Sequence, residues 1–175
     1  MVLGHNTRLA LDTNVLLDLA AGVSDVIRFF ETSTRKGYCL AVPATVLIEL
    51  DFAIHDESDQ RRQKLSEIAQ ELMLTKWNIV PLPEPFRIED AENFSLLLRT
   101  RGLLPFRERN DGLIVAECSL EGIGLLVTSD GHLHDMDQEG LALAFNDFTP
   151  RLPTPIAIFH HNRITNILRR LPDPK

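Results

Sequence analysis

Four acidic residues stand at positions where an isolated charge would be costly. Asp12 closes the apolar run "RLAL", and Asp130 closes "GLLVTSD". Glu49 lies inside "TVLIEL", and Asp111 opens "DGLIVAEC". Burying a lone carboxylate is unfavourable unless it is paired. If the four converge, they also repel. Two unit charges about 4 Å apart repel by roughly 4 kcal/mol at an effective dielectric near 20. A divalent cation removes that cost. An all-oxygen ligand set with open positions for water suits Mg²⁺ or Mn²⁺, whereas Zn²⁺ prefers His and Cys. Such an ion holds phosphate oxygens and lowers the pKa of a bound water for attack on phosphorus. Taken singly, three of the acids have structural uses. Asp12 and Asp111 suit helix N-caps, and Asp130 suits a turn with Gly131. Glu49, flanked by Leu47, Ile48 and Leu50, caps nothing, so the reading rests on all four together.

The elements that must position these acids follow from the apolar pattern. "RLAL" reads as a short buried strand, and "NVLLDLAAG" as a helix stopped by Gly22. Ser24 suits the N-cap of a second helix that Gly37 ends. Strands are predicted at Tyr38–Val42, briefly in "WNIVPLP", in "GLLVTSD" and in "LALAF". Helices are predicted in "ATVLIELDFAI", in "KLSEIAQELML", over Glu89–Thr100 and over Asp111–Glu121. Strands that alternate with helices and read as continuous apolar runs imply parallel strands covered on both faces. The expectation is an α/β fold, a three-layer α/β/α sandwich with a mostly parallel sheet. In such sheets ligands bind beyond the carboxyl ends of the strands, where Asp12 and Asp130 fall. Pro150, Pro153 and Pro155 mark a boundary, giving a domain of residues 1–149 and a helical appendage of residues 150–175. In that appendage Thr154 and Pro155 give a helix-start signal. Ile164, Ile167, Leu168 and Leu171 then form one apolar stripe.

"LDTNVLLDL", "VLIEL", "NDGLIVAEC" and "LLVTSDGHL" resemble, in order, the four motifs of the PIN-domain nuclease family. The resemblance runs from about Leu9 to Phe148. It implies the α/β/α fold, a Mg²⁺ or Mn²⁺ cofactor and hydrolysis of RNA phosphodiester bonds, with endonucleolytic cleavage expected. It marks Asp12, Glu49, Asp111 and Asp130 as catalytic and metal-binding. Asp12 and Asp111 are the first choice as direct ligands. Glu49 and Asp130 complete the sphere, hold a second ion or orient the water. It also implies that Asn14, and Thr128 or Ser129, orient the site. Many relatives are toxins of bacterial toxin–antitoxin pairs, and many of those dimerise. An antitoxin protein and a second copy of the chain are therefore expected partners beside the RNA substrate. The charged helix around Gln60–Leu74 and the segment after Pro150 depart from a minimal toxin.

Other residues have simpler uses. Arg107 and Arg109 in "PFRERND" either contact an RNA backbone or pair locally with Glu108. His132 and His134 form an H-x-H without an evident third ligand. Asp135 and Asp137 read as surface acids, Glu117 as structural, and Asp18 as an exposed helix acid. Two other functions fit the same fold. A non-catalytic RNA-binding or scaffold module has no need of clustered acids. A small phosphate-ester hydrolase would want a Gly-rich phosphate loop or a nucleophile motif, and neither is seen.

The 175 residues are 44% hydrophobic and 25% charged, enough to bury a core, and carry a net charge of −7. That balance disfavours a broad basic face and leaves room only for a local basic lip. Cys39 and Cys118 read as buried free thiols. With neither a leader pattern nor a membrane-length apolar run, a cytoplasmic location without membrane association is expected.

Overall fold

The structure is a computed structural model that describes residues 7–56 and 58–171. Five strands form one sheet: β1 (Arg8–Leu11), β2 (Cys39–Val42), β3 (Val80–Pro81), β4 (Leu125–Thr128) and β5 (Ala157–His160). Their order is β3-β2-β1-β4-β5, and every neighbouring pair is parallel. The central strands have no polar face because helices cover both sides. Leu9, Ala10 and Leu11 are fully buried, as are Ala41, Val42, Leu126 and Val127. The architecture is the α/β/α sandwich expected from the alternation of strands and helices.

The helices are α1 (Thr13–Ala20), α2 (Ser24–Arg35), α3 (Ala44–His55), α4 (Gln60–Thr75) and α5 (Ile88–Thr100), followed by α6 (Arg109–Leu120), α7 (Gly131–His134), α8 (Gln138–Asp147) and α9 (His161–Arg170). α5 packs on α6, α2 on α9, and α3 on both α4 and α6. Ser24 is the first residue of α2 and not its cap, a place taken by Val23 without a side-chain bond.

Two elements differ from the sequence expectation. "LALAF" is helical, within α8, and is not a strand. Leu141, Ala144 and Phe145 are buried at i, i+3 and i+4, while Leu143 between them is half exposed. A five-residue apolar run fits either period, and the side chain of Asp137, accepting from the Glu139 and Gly140 amides, settles the helix. The second difference lies in the C-terminal segment. Its helix starts at His161 and not near Thr154, because Ala157–His160 pairs with β4 as the fifth strand. The predicted stripe does form. Ile164 and Leu168 are fully buried, with Ile167 and Leu171 packed beside them. It docks on its own chain, against α2 and the sheet. Residues 172–175 lie outside the described range.

α6 is the axis of one helical layer, with every residue from Gly112 to Ser119 buried. Its start fits tightly against α5. A Cβ on Gly112 would lie 2.9 Å from the Ser95 Cα. The Ser95 hydroxyl donates to the Arg109 carbonyl at 2.8 Å and locks the two helices at this point. Gly112→Ala is therefore expected to destabilise the fold by about 1–3 kcal/mol, since backbone must move to make room. Because Asp111 is the adjacent residue, any activity of the site should fall as well. Thermal melting and an activity assay on the same preparation check both.

Candidate active site

β1 lies at the topological switch of the sheet, with β2 on one side and β4 on the other. The crevice beyond its carboxyl end is where open parallel sheets bind ligands. Asp12 occupies that end and is only 2% exposed. One of its oxygens accepts from the Thr13 amide at 2.7 Å, capping α1, and the other accepts from the Thr128 hydroxyl at 2.8 Å. Capping and site placement are thus not alternatives for this residue. Thr128 itself accepts from the Asp130 amide at 2.8 Å, so the end of β4 is tied directly to the end of β1.

Asp130 stands on the β4 flank. One oxygen caps α7 through the His132 amide at 2.7 Å, and the other accepts from the Asn14 side-chain amide at 3.0 Å. Glu49, from α3, stands on the β2 flank. It accepts from the Thr13 hydroxyl and, at 2.8 Å, from the Asn110 side-chain amide. Asp111 lies in the first turn of α6, which begins at Arg109, so it is not an N-cap. Its carboxyl has no hydrogen-bond partner among the described residues.

Burial, first, and then the charges of Glu49 and Asp130 push the Asp12 carboxyl up to about 7, against the pull of the Thr128 and Thr13 hydrogen bonds. Asp111 is pushed up to about 8, again by burial first and then by Asp12, Asp130, Glu108 and Glu49. Glu49 and Asp130 therefore act on both Asp12 and Asp111, and Asp12 acts on Asp111 as well. A cluster that raises its own pKa values is short of positive charge. As the side chains stand, no group of three or more His, Cys, Asp or Glu residues among those described is placed so that it could hold a metal ion. The donor chemistry still fits a hard cation held by one or two carboxylates, with water filling its remaining positions.

The other expected site residues divide. Asn14 and Thr128 touch the acids. Ser129 faces away, with its hydroxyl 3.2 Å from the His161 Nδ1. Arg107 pairs with Glu108 at 3.0 Å, and Arg109 is bonded to Glu92. His134 packs edge-on against His160, whose ring centre lies 4.0 Å from that of His161, so His134 joins a ring cluster and His132 does not take part in it. Burial, then a neighbouring imidazole, keeps His160 and His161 below the usual histidine range. Asp18 faces these rings and acts on both. Asp135 pairs with His134, and Asp137 caps α8.

Three supporting residues have no local sequence signal: Thr13 and Asn110, which hold Glu49, and Thr45. Glu117 is buried and accepts from the Thr45 amide at 2.9 Å and the Thr45 hydroxyl at 2.5 Å. It caps the start of α3 from α6 and so fixes the helix that carries Glu49. Burial, acting before those hydrogen bonds, holds its carboxyl above the ordinary glutamate range.

A family model described as PIN domain matches residues 9–139. Among solved structures, one similar chain comes from the crystal structure of VapBC2 from Rickettsia felis bound to a DNA fragment from their promoter. It shares 17% identity at a TM-score of 0.56, with 88% of this chain and 98% of that one covered. At that identity the likeness is one of fold. No curated protein matches the sequence.

Proposed function

Since the chain belongs to the PIN domain family, whose members are generally nucleases using divalent metals, we propose that it is a Mg²⁺- or Mn²⁺-dependent endoribonuclease. The observation that carries the reading is the convergence of Asp12, Asp111, Glu49 and Asp130 at one end of the sheet, where burial and then the charges of Glu49 and Asp130 raise both Asp12 and Asp111. Such a set is matched to a cation and to the phosphodiester it would engage. Asp12 and Asp111 would hold the ion. Once bound, it supplies positive charge to phosphate oxygens and a water of lowered pKa. The chain's own residues do the rest. Thr128 and the Thr13 amide fix the Asp12 carboxyl, Asn14 aims Asp130, and Thr13 with Asn110 aims Glu49. Glu49 and Asp130, held on opposite flanks of Asp12, orient the attacking water and accept its proton.

Arg107 and Arg109 reach the RNA backbone only by leaving Glu108 and Glu92, a small loss for exposed pairs. The nuclease unit is residues 1–149, and β5 and α9 of the segment that follows brace it. We read the chain as a toxin of a toxin–antitoxin pair acting in the cytoplasm, with an antitoxin partner and a second copy of the chain; its likeness in fold to a chain of the VapBC2 complex bound to promoter DNA supports the antitoxin partner. Among the described residues no helix is long and apolar enough to cross a membrane. End-labelled single-stranded RNA and DNA of one sequence, incubated with the purified chain and Mg²⁺, test the activity. Internal cleavage of the RNA is expected. An RNA left intact at molar excess of protein refutes the proposal.

A further inference from the structure

Two side chains on α3 are exposed where an apolar residue gains nothing for the fold. Ile48 is 61% exposed and Phe52 is 71% exposed. They lie one helical turn apart on one face, which Glu49 borders. Together with Glu49 and Asn110 they line a pocket of about 410 Å³. Glu49 and Asn110 are the hydrogen-bonded pair of the β2 flank, joined at 2.8 Å. Arg62, from α4, also lines it, as does Asp56 at the end of α3, whose charge Arg62 offsets. The pocket therefore opens from the site itself and combines an aromatic face with a cation.

The β4 flank is different. The pocket beside Asp130 is lined by Asp135, Asp137 and His132. With Asp130 that makes three carboxylates, with no Lys or Arg to offset them and no aromatic surface, against two carboxylates and Arg62 on the β2 flank. Only the β2 flank presents what a nucleotide needs, a π-face for the base and a positive charge for the phosphate.

We propose that the Ile48–Phe52 pocket receives an unpaired base of single-stranded RNA next to the scissile phosphate, stacked on Phe52, with Arg62 contacting the adjoining backbone. The inference rests on the ribonuclease reading and assigns that site its base-holding residue. Phe52 is a positioning residue, since it touches substrate away from the reacting atoms. Because every base has a π-face, stacking tolerates sequence, and the pocket sets strandedness before it sets sequence.

The test is fluorescence anisotropy with a labelled eight-nucleotide RNA in an Asp12→Asn background, so that binding is read without cleavage. Phe52→Ala is expected to weaken binding by roughly five- to a hundredfold, the range of one stacked base. Phe52→Trp should restore it. An abasic nucleotide, moved along the RNA, should weaken binding to the protein that keeps Phe52 at one position by a similar factor. At that position it should cost the Phe52→Ala protein nothing further, the sign of a shared contact. The melting temperature of Phe52→Ala should match that of the protein that keeps Phe52, because the ring is exposed. Equal affinity with and without the Phe52→Ala substitution overturns the proposal and leaves this face to a protein partner. Equal losses for both proteins at every abasic position also overturn it. Cleavage by the unsubstituted chain is scored separately. If that chain fails to cut RNA while the Phe52 pattern holds, the nuclease reading falls and the base pocket stands.

Discussion

Asp12→Asn is expected to cut RNA about a thousandfold or more slowly than the parent, the scale on which a metal site stabilises a phosphoryl transition state. The same protein should melt several degrees higher at about pH 8 without divalent cation. Both effects come from one charge. The amide keeps the size of the carboxyl. Its oxygen still accepts from the Thr13 amide, and its NH₂ group can donate to the Thr128 hydroxyl oxygen in place of the bond Thr128 now donates. What is lost is a ligand charge, and with it the cost of burying that charge and the repulsion from Glu49 and Asp130. An acid whose folded pKa exceeds its unfolded value binds more protons folded than unfolded. Stability therefore falls as pH rises between the two values, here from 3.8 to about 7. A shift of this size amounts to a few kcal/mol on an order-of-magnitude scale. The gain in melting temperature should open above about pH 4, grow to about pH 7 and stay level beyond. Full activity in the variant would remove Asp12 from the catalytic set. A gain independent of pH would show that its ionisation does not strain the fold.

Cleavage should also vanish on chelation with EDTA and return with Mg²⁺ or Mn²⁺. The chelated protein should melt lower at about pH 8, and saturating cation should stabilise it by about 3 kcal/mol at a hundredfold excess over Kd. The increment should shrink towards pH 5, where Asp12 and Asp111, with pKa values of about 7 and about 8, are protonated and bind cation poorly. It should also shrink in Asp12→Asn. Undiminished cleavage after chelation refutes metal dependence, provided that Asp12→Asn purified in parallel is inactive and so excludes a contaminating nuclease.

The parallel sheet is legible in the sequence because its central strands are apolar without alternation, as in "LLVT". The acids stand out because Asp12, Asp130 and Glu49 interrupt such runs. What the sequence hides is whatever depends on distant partners. Thr13 looks like an ordinary first residue of a helix until α3 delivers Glu49 to its hydroxyl. Asn110 looks like a loop polar residue until it meets the same carboxylate. Glu108 is the obvious partner for Arg109 along the chain, but its actual partner, Glu92, is on α5. The fifth strand is hidden for a related reason. "AIFH" is short and follows a strong helix-start signal in Thr154 and Pro155, while its stabilisation comes from the open edge of β4. "LALAF" misleads through brevity, since one buried turn of helix and one buried strand place apolar residues almost identically.

The bond from Thr128 to Asp12 spans 116 positions of the chain. Pairing β1 with β2 closes a short loop, Arg8 to Cys39, but pairing β1 with β4 joins Ala10 to Leu126 across most of the molecule. Remote pairings pay their loop-closure entropy before any contact rewards it, and they form late when a chain folds. The acids of the site are thus brought together by the pairing of greatest chain separation in the sheet. A half-folded chain has α1 and α3 within reach of each other and still lacks Asp130, Thr128 and the α6 segment that carries Asp111. If the chain cuts RNA as proposed, that capacity arrives only with the finished fold, and a partly folded chain carries no complete site.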